Sequence, residues 1–396
     1  MSETVTANDC QPPADIAQPR GIALGVAVIA TALAGIGGFL NPDQFFKSYL
    51  LGYLLMLGLA CGCLGLCLLH HMSRGAWGLM LRRVWEAAIK TLPVVALLFI
   101  PILLGREHIF SWMRPGAMDD PLLKSKEAYL NLPFFIGRAA FYFAAWIGLG
   151  FGLVRLSKKQ DETADPSLFR RMQVIAGPGI VLFSLTVTFA AFDWVMSLDP
   201  KWFSSIFGLI VLIGQGLSAL AFGTLIIGFL GKREPMSRYV TPTNLHDYGK
   251  LTLAFTMVWA YFSFSQLLII WSANLPEEVT FFVHRVGPWK PISIALAVTH
   301  FLLPFVLLLS RDIKRSARTL ARVAVLILIA RWVDLYWYIG PVLHPGSVLP
   351  HWLDIVLPVA LVSAWTWMFF GFLSKRPLLP FNDPFLTEAL THDSAH

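Results

Sequence analysis

The chain has 396 residues, of which 56% are hydrophobic and only 14% charged, with a formal charge of +7 and a mean hydropathy of +0.64. A soluble domain carries about a quarter charged residues, so the composition excludes a soluble enzyme and indicates a polytopic membrane protein. The positive charge is dispersed over short loops with no basic stripe or tail, which is the pattern of membrane topology rather than of a nucleic-acid footprint.

Helices that cross the ~30 Å hydrocarbon layer need ~20 apolar residues. Such runs occur at 21–40, 48–69, 85–104, 131–154, 173–196, 203–230, 250–272, 289–310, 321–342 and 352–373. The expected fold class is all-α integral membrane with about ten transmembrane helices: a polar leader (1–20), a membrane domain (21–373) and a polar, proline-containing tail (374–396). Within the first run Ala32-Leu33-Ala34 resembles a small-x-small cleavage site. The leader, however, holds Glu3, Asp9 and Asp15 against the single base Arg20, so the run is read as a retained helix. In the second run Cys63 and Cys67 share a face and Cys61 does not; without a C-x-x-C spacing, an iron–sulfur cluster or zinc site is not expected, and these are small packing residues.

Lysine and arginine set the orientation. They concentrate in the loops holding Arg74, Arg82 and Arg83; Arg155 to Arg171; Lys232 to Lys250; Arg311 to Arg322; and Lys375 and Arg376. These loops are therefore placed in the cytoplasm, with both termini. The opposite face carries two longer loops, 105–130 and 273–288. Trp194, Trp202, Trp271, Trp289, Trp337 and Trp352 fall near span ends, where interfacial tryptophans are expected.

A short echo joins two spans. The fifth ends "FDWVMSLDP" and the ninth "RWVDLYWYIGP", each with an aspartate (Asp193, Asp334) followed by a proline at the same distance (Pro200, Pro341). The echo suggests two related four-helix units, spans 2–5 (about 48–200) and 6–9 (about 203–342), flanked by spans 1 and 10.

Ionisable groups inside a membrane default to functional readings with a named partner. Arg331 and Asp334, three apart, share a face of the ninth span; either the pair neutralises itself and fixes packing, or Asp334 is a proton relay tuned by the guanidinium. Arg138 is the candidate cation for Asp193. Glu86 and Lys90, at i and i+4, read as a helix-stabilising pair or as an inner proton entry. His300 is the only histidine at mid-span, so a b-type haem with two axial histidines is not expected; the imidazole is a packing residue or a proton-transfer group. No phosphate loop, nucleophile elbow or zinc-binding helix motif occurs.

Four blocks carry a family resemblance: "HHMSRGAWGLMLRRVWEAAIKTLPVVALLFIPILLG" (70–105), "FDWVMSLDPKWFSSIFG" (192–208), "LHDYGKLTLAFTMVWAYFSFSQLLIIWSANLPEE" (245–278) and "ARWVDLYWYIGP" (330–341). They resemble the F subunits of alternative complex III, the bacterial quinol:cytochrome c oxidoreductase, and through them the polysulfide-reductase (NrfD-like) membrane subunits. The resemblance runs from about residue 20 to 373. It implies two four-helix bundles plus two outer helices in the bacterial inner membrane, and no redox centre in this chain. It implies a paralogous membrane subunit that oxidises quinol as the neighbour. Periplasmic iron–sulfur and c-type haem subunits would pass electrons to a soluble acceptor or to an attached terminal oxidase. The expected role is a cofactor-free subunit in which Asp193, Arg138, His300, Arg331, Asp334, Glu86 and Lys90 line a proton path. Two alternatives stand beside it: a quinone-binding subunit in its own right, and an independent secondary transporter, which would need paired helix breaks where the spans here read as mostly continuous.

Overall fold

The computed structural model describes residues 10–344, 346 and 348–391. The leader acids Glu3 and Asp9 and the end of the tail, 392–396, lie outside the described residues. The chain is 81% helical, with no strand among the described residues, and ten helices are long and apolar enough to cross a membrane. They are α1 (Ala17–Leu40), α2 (Pro42–Ser73), α3 (Leu79–Leu104), α4 (Leu132–Thr163), α5 (Ser167–Trp194), α6 (Phe207–Leu230), α7 (Pro242–Ala273), α8 (Gly287–Leu309), α9 (Ala317–Leu343) and α10 (Leu353–Leu373).

Two four-helix rings form the body. In one, α2 packs on α3 and α5, and α4 closes the ring between them. In the other, α6 packs on α7 and α9, and α8 closes it. The rings meet where α2 lies along α6, while α1 and α10 pack together against the outside of α2. Burial follows: 89% of the most apolar window of α2 and 83% of that of α6 are inside the protein, against 22% for α7 and for α8. The seam between the rings requires glycine, because a Cβ on Gly62 would lie 2.1 Å from the Gln215 carbonyl oxygen of α6.

Several helices extend beyond the apolar runs, since an α-helix does not stop where hydropathy falls. α3 begins at Leu79 rather than 85, so Arg82 and Arg83, expected in a cytoplasmic loop, are helical and buried. α4 continues to Thr163 and α7 starts at Pro242, capped by the Thr241–Asn244 box.

Two spans are interrupted, contrary to the continuous reading. α3 consists of Leu79–Ile89, Leu92–Leu97 and Ile100–Leu104, the second and third pieces carrying Pro93 and Pro101 at their second positions, which lack the N–H a continuous ladder needs. Phe99 N turns to the Ala96 carbonyl and Ile102 N to that of Phe99, leaving the Val95 and Leu98 carbonyls to accept from the Tyr53 hydroxyl (3.1 Å) and the Tyr49 hydroxyl (2.8 Å) of α2. α8 passes through a π turn, Ala297–Leu302, that carries His300 just before Pro304.

The tail is not simply polar. Leu378, Leu379 and Leu386 are buried against the body, and Leu378 N donates to the Cys10 carbonyl at 2.7 Å. The tryptophans also divide: Trp194, Trp202 and Trp289 are packed inside at 5% exposure or less, and only Trp271 (74%) and Trp352 (43%) stand outward as interfacial anchors would. A span-end tryptophan on an inward face packs rather than anchors.

Gly62→Ala is expected to cost about 1–3 kcal/mol by overpacking the α2–α6 seam, seen as a lower unfolding midpoint in detergent. Gly148→Ala on α4, where a Cβ meets open space, serves as the control and is expected to be neutral or slightly stabilising. Equal midpoints for the two variants would refute the seam argument.

Candidate functional site

Buried charge gathers in three separate places, and no ion pair joins one to another among the described residues. The first lies in the second ring. Arg331 and Asp334, both buried, form the expected i,i+3 ion pair on α9 through Nη1 and Oδ2. The guanidinium lies flat against α6, where a Cβ on residue 214 would stand 2.4 Å from Nη1; Gly214 makes room for it. His300, fully buried, packs on Trp259 of α7 with ring centroids 4.1 Å apart and planes inclined by 41°. Asp334 Oδ1, both ring nitrogens of His300 and the indole Nε1 of Trp259 make no protein hydrogen bond of normal geometry, with the Trp259 N–H close enough to the Asp334 carboxylate to act on its charge.

Sequence reasoning missed the helix that faces this group. On α7, Thr252, Thr256, Trp259, Ser263 and Gln266 recur at spacings of three and four, which places them on one stripe. All but the half-buried Ser263 are buried, although α7 is otherwise among the most exposed spans. Thr252 and Thr256 donate back to the carbonyls of Tyr248 (2.7 Å) and Thr252 (2.8 Å), and the Ser263 hydroxyl and both polar atoms of Gln266 are unpaired. Beyond Gln266 a cavity of about 140 Å³ reaches Glu278, Ser204 and Ser205. The 3–4 recurrence of polar residues was legible in the sequence once α7 was known to face inward there.

The second place answers for Asp193. Arg138 of α4 grips it with two bonds of 2.8 Å, Nε to Oδ2 and Nη2 to Oδ1, as the sequence suggested. The Tyr142 hydroxyl adds a third at 2.8 Å. The guanidinium lies over the rings of Tyr129 (3.9 Å) and Phe134 (4.3 Å), which meet edge to face, and donates Nη1 to the Tyr129 carbonyl at 3.0 Å. Both oxygens of this acid are engaged. The echo between the two aspartates also stops short of their partners, since Asp193 is held by a neighbouring helix and Asp334 by its own.

The third place corrects the Glu86–Lys90 reading. Glu86 receives Arg82 Nε (3.0 Å), Arg83 Nη1 (2.7 Å), Arg376 Nη1 (2.9 Å) and the Ser157 hydroxyl (2.6 Å). No ion pair links it to Lys90, which instead faces the Phe372 ring at 6.0 Å. Arg82 also binds Asp383 (2.5 Å) and Gln160 (3.0 Å), while Arg83 (2.5 Å) and Arg376 (2.6 Å) share Asp161. Three guanidiniums thus balance three carboxylates, stapling α3, α4 and the tail together. The i+3 and i+4 spacings of Arg83 and Arg82 to Glu86 were readable; the contribution of the tail was not. A smaller lock closes α2 on α10, where Asp354 accepts from Ser48 Oγ (2.5 Å), Gln44 Nε2 (3.2 Å) and His351 N (2.8 Å).

Chemically, the Arg138–Asp193 pair and the Glu86 staple have every carboxylate oxygen engaged and read as structural. The Asp334–His300 group keeps free lone pairs beside a polar stripe and is the one arrangement suited to proton exchange. Among the described residues no three His, Cys, Asp or Glu stand together as a metal-ligand set. Asp193→Leu is expected to destabilise the protein by about 3–5 kcal/mol, because it strands a buried guanidinium, and Arg138→Met with Asp193→Leu to recover most of the loss. Chemical denaturation in detergent measures both; a double variant as weak as the single would overturn the structural role.

A scan of protein-family models finds no match to this chain, and a search of curated proteins finds none either.

Proposed function

We propose that this chain is a cofactor-free integral membrane subunit of a quinol:cytochrome c oxidoreductase of the alternative complex III type, and that its second ring carries a proton path centred on Asp334. The resemblance of the four sequence blocks supports membership of the complex. The observation that carries the proton path is the buried carboxylate of Asp334, with one oxygen held by Arg331 and the other unpaired, next to His300 and the stripe on α7. A buried polar atom left unpaired costs roughly 1–3 kcal/mol. Such atoms grouped together are the usual setting of bound water, which needs two to four polar partners.

In this reading the path runs along Thr252 and Thr256, past Trp259, His300 and Asp334, then by Ser263 and Gln266 to the small cavity at Glu278. Arg331 holds a fixed positive charge beside Asp334, so a proton arriving there is met by repulsion that favours its onward transfer. The seven residues of the sequence reading divide: His300, Arg331 and Asp334 belong to the path, while Asp193, Arg138, Glu86 and Lys90 hold helices or line the inner face. Quinol chemistry, iron–sulfur clusters and c-type haems belong to partner subunits, on the side of the loops 105–130 and 273–288, with both termini of this chain cytoplasmic in an inner membrane. Against an independent transporter, the interrupted spans α3 and α8 do not occupy corresponding positions in the two rings.

Asp334→Asn in the intact complex reconstituted into vesicles is expected to leave assembly and quinol oxidation in place and to lower the number of protons moved per electron. An unchanged ratio would sink the proton path. Failure of the chain to co-purify with a quinol-oxidising membrane subunit, judged by mass spectrometry of the gently solubilised complex, would sink the assignment to the complex.

A further inference from the structure

A cavity of about 790 Å³ opens between α7, α8 and α9, and Trp259 and Ser263 beside the Asp334 group form part of its wall. Its rim is apolar and outward: Met257 is 50% exposed, Tyr261 65%, Phe264 61%, Val286 64% and Ile294 55%. Because α7 and α8 are the least enclosed parts of the second ring, the mouth faces hydrocarbon, and an occupant enters sideways from the bilayer. That excludes a soluble anion or metabolite.

At one end stand two cations. Arg285, only 4% exposed, lies over Phe281 (3.5 Å) and Trp337 (4.8 Å). It donates solely to backbone carbonyls, of Phe281 (2.6 Å), Trp337 (3.1 Å) and Tyr338 (2.7 Å), and no carboxylate pairs with it among the described residues. Burial pulls this guanidinium down to about 9, so its charge is held at a cost that a nearby anion would relieve. Lys290, exposed and without an ion pair, shares the same end. From Lys290 the cavity follows α8 to Phe301, roughly 16 Å at the helical rise of ~1.5 Å per residue. The lining includes no Asp, Glu or His. No carboxylate or imidazole lines the cleft itself to take a quinol's protons, whereas a phosphodiester would find a guanidinium and an ammonium above an apolar trough, Asp199 being the carboxylate whose charge reaches Arg285 without an ion pair.

We infer that the cleft between α7, α8 and α9 is a binding site for an anionic glycerophospholipid, with one acyl chain along α8 and the phosphate on Arg285 and Lys290. The inference does not rest on the proton path or on the complex the chain joins, although Trp259 and Ser263 border both the path and the cleft.

The test uses the full chain, purified with its native partners in detergent, delipidated, and titrated with dioleoylphosphatidylglycerol or dioleoylphosphatidylcholine under native mass spectrometry. Arg285 also ties down three carbonyls, so Lys290 and Ala297, on the cleft wall, are varied instead. Phosphatidylglycerol is expected to bind in preference to phosphatidylcholine. Lys290→Gln should weaken it about five-fold, the worth of one interfacial lysine, and Ala297→Phe should abolish tight binding by filling the trough while assembly persists. Three results would each overturn the inference: equal binding of the two lipids with no effect of Lys290→Gln, a co-purifying quinone in the cleft in place of lipid, or cross-links from Ile294 to a helix of a partner subunit.

Discussion

Inside hydrocarbon there is no water to satisfy a stray charge or a freed backbone carbonyl, and every such group has to be matched from within the protein. Most of this chain's architecture is a response to that constraint. Pro93 and Pro101 break the ladder of α3, and the hydroxyls of Tyr49 and Tyr53 on α2 take the carbonyls released. Arg138 reaches Asp193 across a helix boundary with both carboxylate oxygens engaged. Six charges at the α3 start, on α4 and in the tail cancel within one network. Each match joins two elements distant in sequence, so electrostatic neutrality and helix placement are achieved by the same contacts.

Measured against that standard, the exceptions are informative. The Asp334 carboxylate is half matched, and the neighbouring imidazole of His300 not at all. The π turn that presents His300 and the glycine that admits Arg331 show that the backbone is shaped around this spot. Arg285 is a second exception of a different kind, since three of its five N–H donors go to carbonyls and its charge has no ion pair among the described residues. One exception faces the interior of a ring and suits the passage of protons. The other faces the bilayer and suits a lipid anion. The distinction follows from position, since Asp334 lies within α9 and Arg285 in the segment between α7 and α8, not from residue type.

The spans are buried unequally. α2 and α6 form the shared spine of both rings, whereas α7, α8 and α1 present long apolar faces outward. Hydrocarbon contact accounts for such faces in a multi-pass protein, and a related membrane subunit can use the same surface, because helix association in lipid rests on shape and small residues rather than on a hydrophobic gain.

Composition and run length by themselves determined the fold class, the ten spans and the candidate residues, because the cost of exposing backbone to lipid leaves a sequence this apolar little choice but long helices. The Arg331–Asp334 pair was equally legible, since i,i+3 spacing on a helix is local geometry. Tertiary structure alone decided the rest. Lys90 at i+4 lost Glu86 to Arg376, which lies far along the chain, and the inward tryptophans were revealed only by the faces their helices bury. The polar stripe of α7 became visible as a feature only once that face was turned to α6 and α9. In each case the deciding quantity is a distance between segments remote in sequence, and hydropathy and periodicity contain no information about it.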